Sequence, residues 1–179
     1  MNRIALRFLA VGICPFVVLF GCTKPIEVEY ENSILQSDSA PAIEVHVVGV
    51  NEANLQKFQN YFLDDYFDPG KPDSLRADVL SWGGDKVLEF GPNDKQPKMI
   101  AGNDPVWDNW KKTGATHLLV LQNYPRTIQD HPLARADPRY LDLPLDQNRW
   151  IGDTLLIRVS RSGPSCESGT VEPSGARSN

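Results

Sequence analysis

Residues Ile43–Val50 read IEVHVVGV and carry the strongest structural signal in the chain. The segment is rich in β-branched residues, holds no proline, and begins by alternating apolar with polar side chains, as a half-buried β-strand does. A second segment, Thr116–Tyr124, contains the apolar run HLLVL. An apolar run without alternation indicates a strand buried on both faces, so we expect this one at the centre of a sheet.

Shorter segments with strand character lie on both sides of these two. Ile26–Tyr30 alternates apolar and acidic residues, which is the period of a half-buried strand. The others are Lys86–Phe90, Met99–Ile100 and Thr154–Val159. The chain shows no internal repeat.

The period changes to that of a helix after the first strong strand. The apolar residues at helical spacing are Leu55, Phe58, Phe62 and Tyr66. We therefore predict one amphipathic helix over residues 51–67, capped by Asn51 and ended by the turn at residues 68–70. We expect this helix to pack across an edge or end of a sheet.

A second, shorter helix is predicted where Asp104 and Pro105 provide a cap and a first helical residue, and it ends at Gly114. Strands and helices do not alternate regularly, which argues against a doubly wound sheet. The predicted fold class is mainly β, a β-sandwich of about 120 residues with short helical insertions.

Three segments have no regular pattern. Ser33–Pro41 is small and polar, and Pro125–Asp146 is long, proline-rich and acidic, so both are predicted to be loops. Residues 163–179 are rich in Ser, Gly and Pro. We expect them to form a disordered tail in which Cys166 has no structural role.

The first 21 residues have the organisation of an export signal. Arg3 and Arg7 precede the apolar run Phe8–Phe20. A membrane-spanning helix needs about 20 residues, so this run is too short to form one. The run ends in LFGC at residues 19–22, which resembles the lipobox of bacterial lipoproteins. The resemblance implies that Cys22 is acylated on its thiol and becomes the mature N-terminus. The alternative is an ordinary signal peptide, or an uncleaved anchor, with Cys22 incidental.

The residue after the cysteine bears on location. Thr23 stands where such lipoproteins carry Asp when they stay in the inner membrane. The resemblance therefore implies an outer-membrane lipoprotein whose domain lies on the periplasmic face. The predicted organisation is a signal peptide at 1–21, one domain at 22–162 and a tail at 163–179.

Composition excludes several classes of protein. The 179 residues contain 18 Lys+Arg and 23 Asp+Glu, a net charge of −5, so the basic footprint that nucleic acid requires is absent. The cysteines Cys14, Cys22 and Cys166 show no CxxC spacing, which argues against a structural zinc cluster. They are also too few for a disulfide framework.

The residues that commonly carry catalysis are not spaced for it. None of His46, His117 and His131 belongs to an HxH or HExxH pattern. The acidic residues at 64–68 lack the glycine and terminal glutamate of a calcium loop, so we interpret them as a solvated helix face. The chain has no GxSxG elbow and no phosphate-binding glycine loop. We predict a protein that is not an enzyme and holds no metal or cofactor.

Four features of the chain point to a known family. Ile43–Val50 leads into an aromatic segment at 58–67, LRADVL stands at 75–80, VLEFGP at 87–92 and GATHLLVL at 114–121. Together they resemble the TssJ family, the outer-membrane lipoprotein of the type VI secretion membrane complex. LRADVL is similar to the family's Leu-x-Ala-Asp-x-Leu stretch, VLEFGP stands where the family has a strand and a Pro-Gly turn, here in reversed order, and GATHLLVL resembles the family's buried strand.

This resemblance implies a transthyretin-like β-sandwich that binds the periplasmic domain of an inner-membrane partner. The family makes that contact through the loop between its first two strands, which by position is Ser33–Pro41 here. The candidate partner-binding residues are Leu35, Gln36, Ser37, Asp38 and Ser39. Leu35 would be the apolar anchor and Asp38 would supply charge at the rim.

Other functions and another surface stay open. A carrier or chaperone lipoprotein would hold a lipid or small molecule in a cavity, and the residues expected to line it are Phe58, Phe62, Leu88 and Leu119. An envelope hydrolase is a third possibility. The rival surface for a protein partner is the long loop Pro125–Asp146.

Overall fold

The computed structural model describes residues 23–31, 42–68, 70, 74–92, 94, 96–124 and 137–170. The strands in these ranges are β1 Ile26–Tyr30, β2 Ile43–Val50, β3 Asp85–Phe90, β4 Lys98–Ile100, β5 His117–Asn123, β6 Tyr140–Pro144, β7 Leu155–Ser160 and β8 Gly163–Cys166. The helices are α1 Glu52–Gln59, α2 Leu63–Phe67, α3 Ser74–Trp82 and α4 Val106–Lys112, with a 3-10 turn at Gln147–Arg149. None of the helices within the described ranges is long and apolar enough to cross a membrane.

Two four-stranded sheets form the domain. Sheet 1 has the order β4-β1-β7-β8 and sheet 2 has the order β3-β2-β5-β6. Neighbouring strands are antiparallel, except β1 and β7, which run parallel. The predicted fold class, a mainly β sandwich with short helices, is confirmed.

Alternate side chains of β2 fill the space between the sheets, where Ile43, Val45 and Val47 are buried. The sheet 1 residues of the same cluster are Ile26, Val28, Ile100, Leu155, Ile157 and Val159. Trp110 of α4 packs into one end of this core. Gly49 lies so close beneath it that an added Cβ would stand 2.4 Å from the indole.

The other face of sheet 2 is covered by α1, α2 and α3, which form a third layer. Val48 of β2 and Leu119 and Leu121 of β5 belong to a second buried cluster on this face. Its members from the helices include Leu55, Phe58, Leu63, Tyr66, Phe67, Leu75 and Val79. Because β5 is covered on both faces, the prediction of a doubly buried central strand is confirmed.

Residues 51–67 form two helices, so the prediction of a single helix is wrong. α1 ends at Gln59 and α2 begins at Leu63. The break leaves Phe62 47% exposed, and Leu63 takes the buried position that the spacing assigned to Phe62. The helices also lie on the outer face of sheet 2 rather than across its edge. The predicted cap is confirmed, since the Asn51 side chain accepts a hydrogen bond from the N–H of Asn54 at 3.0 Å.

The prediction of a disordered tail from residue 163 is wrong for residues 163–170. β8 pairs antiparallel with β7, the N–H of Glu167 donates to the carbonyl of Leu156, and Trp150 forms a bridge with Thr170. Cys166 therefore lies on a strand and is half-buried. The folded domain extends past the predicted boundary at 162, and residues 171–179 lie outside the described ranges.

The segment Pro125–Asp146 is also not a loop throughout. Its second half contains β6, which pairs with β5 and is an edge strand of sheet 2. Pro144 ends this strand, a position that tolerates proline because the edge of a sheet needs fewer N–H donors. Residues 125–136 lie outside the described ranges.

Candidate functional site

Four strand-to-strand connections leave the sandwich at the same end, which we call the loop end. The register places Ile43 of β2 opposite Phe90 of β3, and Glu44 opposite Asn123 of β5. In sheet 1, Tyr30 of β1 lies beside Val159 of β7. The connections β1–β2, β3–β4, β5–β6 and β7–β8 therefore all start from this end.

The predicted partner-binding residues Leu35, Gln36, Ser37, Asp38 and Ser39 lie outside the described residues. The strand ends on either side of them, Tyr30 and Ile43, are at the loop end. In the rival loop Pro125–Asp146, residues 125–136 lie outside the described residues, and Tyr124 and Asp137 on either side of them belong to the same end. The described residues that flank the two segments considered as partner surfaces therefore lie at the same end of the domain.

Aromatic packing fixes the base of the β1–β2 connection. The Tyr30 ring stacks on Phe90 with 5.6 Å between centroids, and Lys98 Nζ lies 5.3 Å from the Phe90 centroid. The N–H of Glu31 donates to the carbonyl of Val159 at 3.0 Å. Burial raises the pKa of the Tyr30 hydroxyl, so this group stays protonated. A rigid base of this kind is what positions a recognition loop.

Gln122 joins the two sheets near the same end. It is 1% exposed, and its Nε2 donates to the carbonyl of Ser160 at 3.0 Å. Gln122 Oε1 and the Tyr30 hydroxyl are both buried and have no hydrogen-bond partner within the described part of the chain. The loop end therefore holds polar groups inside the core.

An ion-pair network fastens the start of β6 to α2. Arg139 is 6% exposed, and its guanidinium donates to both carboxylate oxygens of Asp137 and to Asp64 Oδ1, the last at 2.8 Å. Burial disfavours the charged form, but the two carboxylates outweigh it and raise the pKa of Arg139. Asp64 is thus an ion-pair partner, which corrects the interpretation of residues 64–68 as only a solvated face.

The chain enters the sandwich at the opposite end, which we call the tether end. Cys22 lies outside the described residues, but it is bonded to Thr23, whose carbonyl oxygen packs against Gly102. Lys24 N–H donates to Gln147 Oε1 at 2.9 Å, and Lys24 Nζ donates to the carbonyl of Trp150 at 3.0 Å. β1 then runs from this end to the loop end.

The two described histidines have structural partners. His46 is buried, with Nδ1 3.0 Å from the Tyr66 hydroxyl and Nε2 bonded to Glu44 Oε1. His117 lies between Asp142 and Glu52. Among the residues that the structure describes, no group of three or more His, Cys, Asp and Glu side chains is placed to hold a metal ion. His131 lies outside them.

The four residues expected to line a carrier cavity do not come together. Phe58 and Leu119 belong to the cluster between sheet 2 and the helices, whereas Leu88 belongs to the cluster between the sheets. Phe62 is 47% exposed. A cavity lined by all four is therefore inconsistent with the structure.

Some residues that shape the two ends were not identified from the sequence. Gln122 directly follows the apolar run of β5, and a polar residue inside a buried strand is a signal that could have been used. Arg139 and Gly102 carry no local signal, because their roles depend on Asp64 and Thr23, which are distant in the chain.

No protein-family model matches the chain, and no curated protein matches it. Among solved structures, it is similar to a chain of "T6SS protein TssM C-terminal domain (869-1107) from EAEC", with 14% identity, a TM-score of 0.52, and coverage of 80% of this chain and 99% of that chain. At this identity the similarity shows the fold.

Two lipoprotein structures are also similar to the chain. One is Lip of Serratia marcescens, a membrane-bound component of the type VI secretion system, with 12% identity, a TM-score of 0.46 and coverage of 84% and 98%. The other is the T6SS lipoprotein TssJ1 of Pseudomonas aeruginosa, with 9% identity, a TM-score of 0.43 and coverage of 84% and 98%.

Proposed function

We propose that this protein is a non-catalytic adaptor of a type VI secretion-like envelope complex, held on the periplasmic face of the outer membrane by an acylated Cys22. Its loop end binds the periplasmic domain of an inner-membrane component. The observation that carries the proposal is that the residue next to the anchor and the candidate binding loop lie at opposite ends of the domain. The residue bonded to Cys22 enters at the tether end, and the β1–β2 connection leaves at the loop end.

The fold similarity supports a role in a type VI secretion-like complex. The solved chain with a TM-score of 0.52 comes from a structure named for a T6SS protein. The leader and the LFGC sequence at 19–22 support export and acylation. The rigid base at Tyr30 and Phe90 supports recognition through the residues that follow it.

Leu35 is the residue from which we expect most of the binding energy. An apolar side chain inserted into a partner pocket contributes more than the polar contacts around it, and Asp38 beside it would act at the rim. Leu35→Ala should weaken binding by about 1–2 kcal/mol, and Asp38→Ala by less.

Anchoring is tested by Cys22→Ser. We expect the variant to leave the membrane fraction or to persist as an unprocessed precursor without lipid. Metabolic labelling with a fatty acid, followed by fractionation, measures both outcomes. A Ser variant that is still lipidated and membrane-bound would exclude Cys22 as the anchor.

Partner binding is tested by deleting residues 36–40 and capturing the periplasmic domain of the inner-membrane component of the same system. Capture should be lost while the thermal unfolding profile stays nearly unchanged. The matched control is Lys111→Glu at the other end of the domain, which should leave capture intact. If deleting residues 128–134 abolishes capture and deleting 36–40 does not, the rival segment is the binding surface.

A further inference from the structure

Between Cys22 and the folded domain there is no spacer. The Thr23 carbonyl oxygen lies so close to Gly102 that an added Cβ there would be 2.0 Å away. The N–H of Lys24 is bonded to Gln147, and the carbonyl of Pro25 accepts from the N–H of Leu155 at 3.0 Å. The chain is therefore tied to the domain from the first residue after Cys22.

Thr23 packs against Gly102, which lies between β4 and α4, and Lys24 is bonded to Gln147 and to Trp150. α4 joins the end of β4 to the start of β5, and it buries Val106 and Trp110 in the core. Its opposite face exposes Lys111 and Lys112. Ile151, next to the carbonyl that holds Lys24, is 55% exposed.

We infer that the tether end of the domain lies directly on the lipid headgroups of the leaflet that holds the acyl chains. This inference rests on the proposed acylation of Cys22. Consecutive Cα atoms are about 3.8 Å apart, and the headgroup region on each side of a bilayer is about 5–8 Å thick. Acyl chains in the hydrocarbon therefore leave Thr23 at headgroup depth, and the residues packed around it come with it.

The chemistry of this surface fits phospholipid headgroups. The ammonium groups of Lys111 and Lys112 can pair with lipid phosphates, and the exposed Ile151 can enter the boundary between headgroups and acyl chains. The nearby Asp108 and Asp153 are also exposed, so the charge of the surface is mixed. We therefore assign the contact mainly to the short tether rather than to electrostatic attraction.

The test uses the full-length lipidated protein in phospholipid vesicles that contain a headgroup-attached quencher. In a Cys166→Ser background, Ile151→Cys carries a fluorophore at the tether end, and Arg161→Cys carries it at the loop end as the matched control. We expect the probe at 151 to be quenched at least about threefold more strongly than the probe at 161. Quenching weakens as the distance between the probe and the headgroups increases, and position 161 lies at the far end of the domain.

Equal quenching at the two positions, in protein that floats with the vesicles, would overturn the inference and leave the anchor intact. Protein that does not float with the vesicles would overturn the anchor and this inference together. The probe at 151 could instead be shielded from solvent without being quenched, to a degree that rises with the protein-to-lipid ratio. That result would identify a second copy of the protein on this surface and would also overturn the inference.

Inserting a flexible Gly/Ser spacer of about 12 residues between Cys22 and Thr23 separates the tether from the surface. Flotation should persist, and quenching at 151 should fall to the level at 161. Gly102→Ala should also lower quenching at 151, since its methyl group displaces Thr23. Gly91→Ala should not, because no described residue lies within 4 Å of its added Cβ. Undiminished quenching with the spacer would show that the short tether does not hold this surface on the membrane.

Discussion

Gly49 has a packing role that its place inside a strand does not suggest. Most residues of β2 are β-branched, yet position 49 lies directly beneath the Trp110 indole. Trp110 is 1% exposed, and its Nε1 donates to the carbonyl of Gly84 at 2.6 Å. The absence of a side chain at 49 is what allows α4 to close the core at the tether end.

We expect Gly49→Ala to destabilise the domain by about 1–3 kcal/mol, because the indole cannot move away without losing its hydrogen bond. Chemical denaturation followed by tryptophan fluorescence measures the change. Gly91→Ala is the matched control, since no atom of the described residues lies within 4 Å of its added Cβ. Equal effects of the two substitutions would contradict the packing role of Gly49.

The contributions of His117 and His46 to the stability of the domain depend on pH in opposite directions. Burial disfavours the charged form of His117, but the carboxylates of Asp142 and Glu52 outweigh it and raise the pKa of His117 above its usual value. For His46 burial is the stronger effect, and the pKa of His46 lies below its usual value despite the nearby Glu44.

We expect His117→Gln to lose more stability at about pH 5 than at about pH 8. A histidine whose pKa is raised in the folded state stabilises the fold. This contribution is complete below the pKa of the unfolded chain, about 6.5, and is lost as the pH rises through the pKa of the folded state. The difference should be about 0.5 kcal/mol, since the ion pairs are partly exposed and screened. Denaturant unfolding at the two pH values measures it.

His46→Gln is the companion variant and should show the reverse trend. Because the pKa of His46 is lowered in the folded state, the unsubstituted protein loses stability as the pH falls below about 6.5. His46→Gln has no imidazole to protonate and does not show this loss. The deficit of His46→Gln should therefore be smaller at about pH 5 than at about pH 8. The same trend in both variants would contradict the assigned directions.

Among the elements, β8 differs most from the sequence-based expectation. It is short and contains Gly163 and Pro164, so its composition resembles a tail. Gly163 has a φ of 118°, and an added Cβ would be 1.7 Å from the carbonyl oxygen of Pro138. Only glycine fits this backbone and this close approach. β8 thus connects sheet 1 to the chain that leads into β6.

Ending the chain after residue 162 should destabilise the domain by more than about 2 kcal/mol, because it leaves the edge of β7 unpaired and removes buried residues. Ending it after residue 170 keeps every contact of β8 described here and should change stability little. Thermal unfolding of the two truncated proteins measures the difference. Equal stability of the two would show that β8 is dispensable.

α3 is the second element that the sequence pattern missed. α3 contains the LRADVL segment at 75–80, for which the sequence pattern predicted neither a helix nor a strand. Its Leu75 and Val79 are buried against sheet 2. Helical spacing in so short a piece is ambiguous, and the face of the sheet that receives it decides its conformation.

For the molecule as a whole, the functional consequence is the separation of its two ends. β2 spans the sandwich with eight residues, or about 26 Å at about 3.3 Å per residue. If the tether end lies on lipid headgroups, the loop end is presented roughly that far from the membrane. The domain would then act as a rigid spacer between anchor and partner.

Such a spacer should unfold as one unit. Sheet 2 contributes to both buried clusters, so neither the helical layer nor sheet 1 can separate without exposing apolar surface. We expect far-ultraviolet circular dichroism and tryptophan fluorescence to give coincident denaturation curves. Loss of the helical signal at lower denaturant concentration would show that the helices unfold separately.

The sequence by itself determined the positions of β1, β2, β3, β5 and β7, the mainly β class and the cap at Asn51. These features depend on residues that are neighbours in the chain, because alternation and capping are local patterns. Local patterns of the same kind predict an export leader at 1–21 and make Cys22 a candidate anchor.

Only the tertiary structure decided the order of the strands, the side of sheet 2 that the helices cover and the inclusion of β8. It also brought the bases of the two candidate partner segments together at one end and tied Thr23 to Gly102 at the other. Each of these depends on contacts between residues far apart in the chain, such as Tyr30 with Val159 or Trp150 with Thr170. The free energy of such contacts comes from surface buried jointly by both partners, which no single segment encodes.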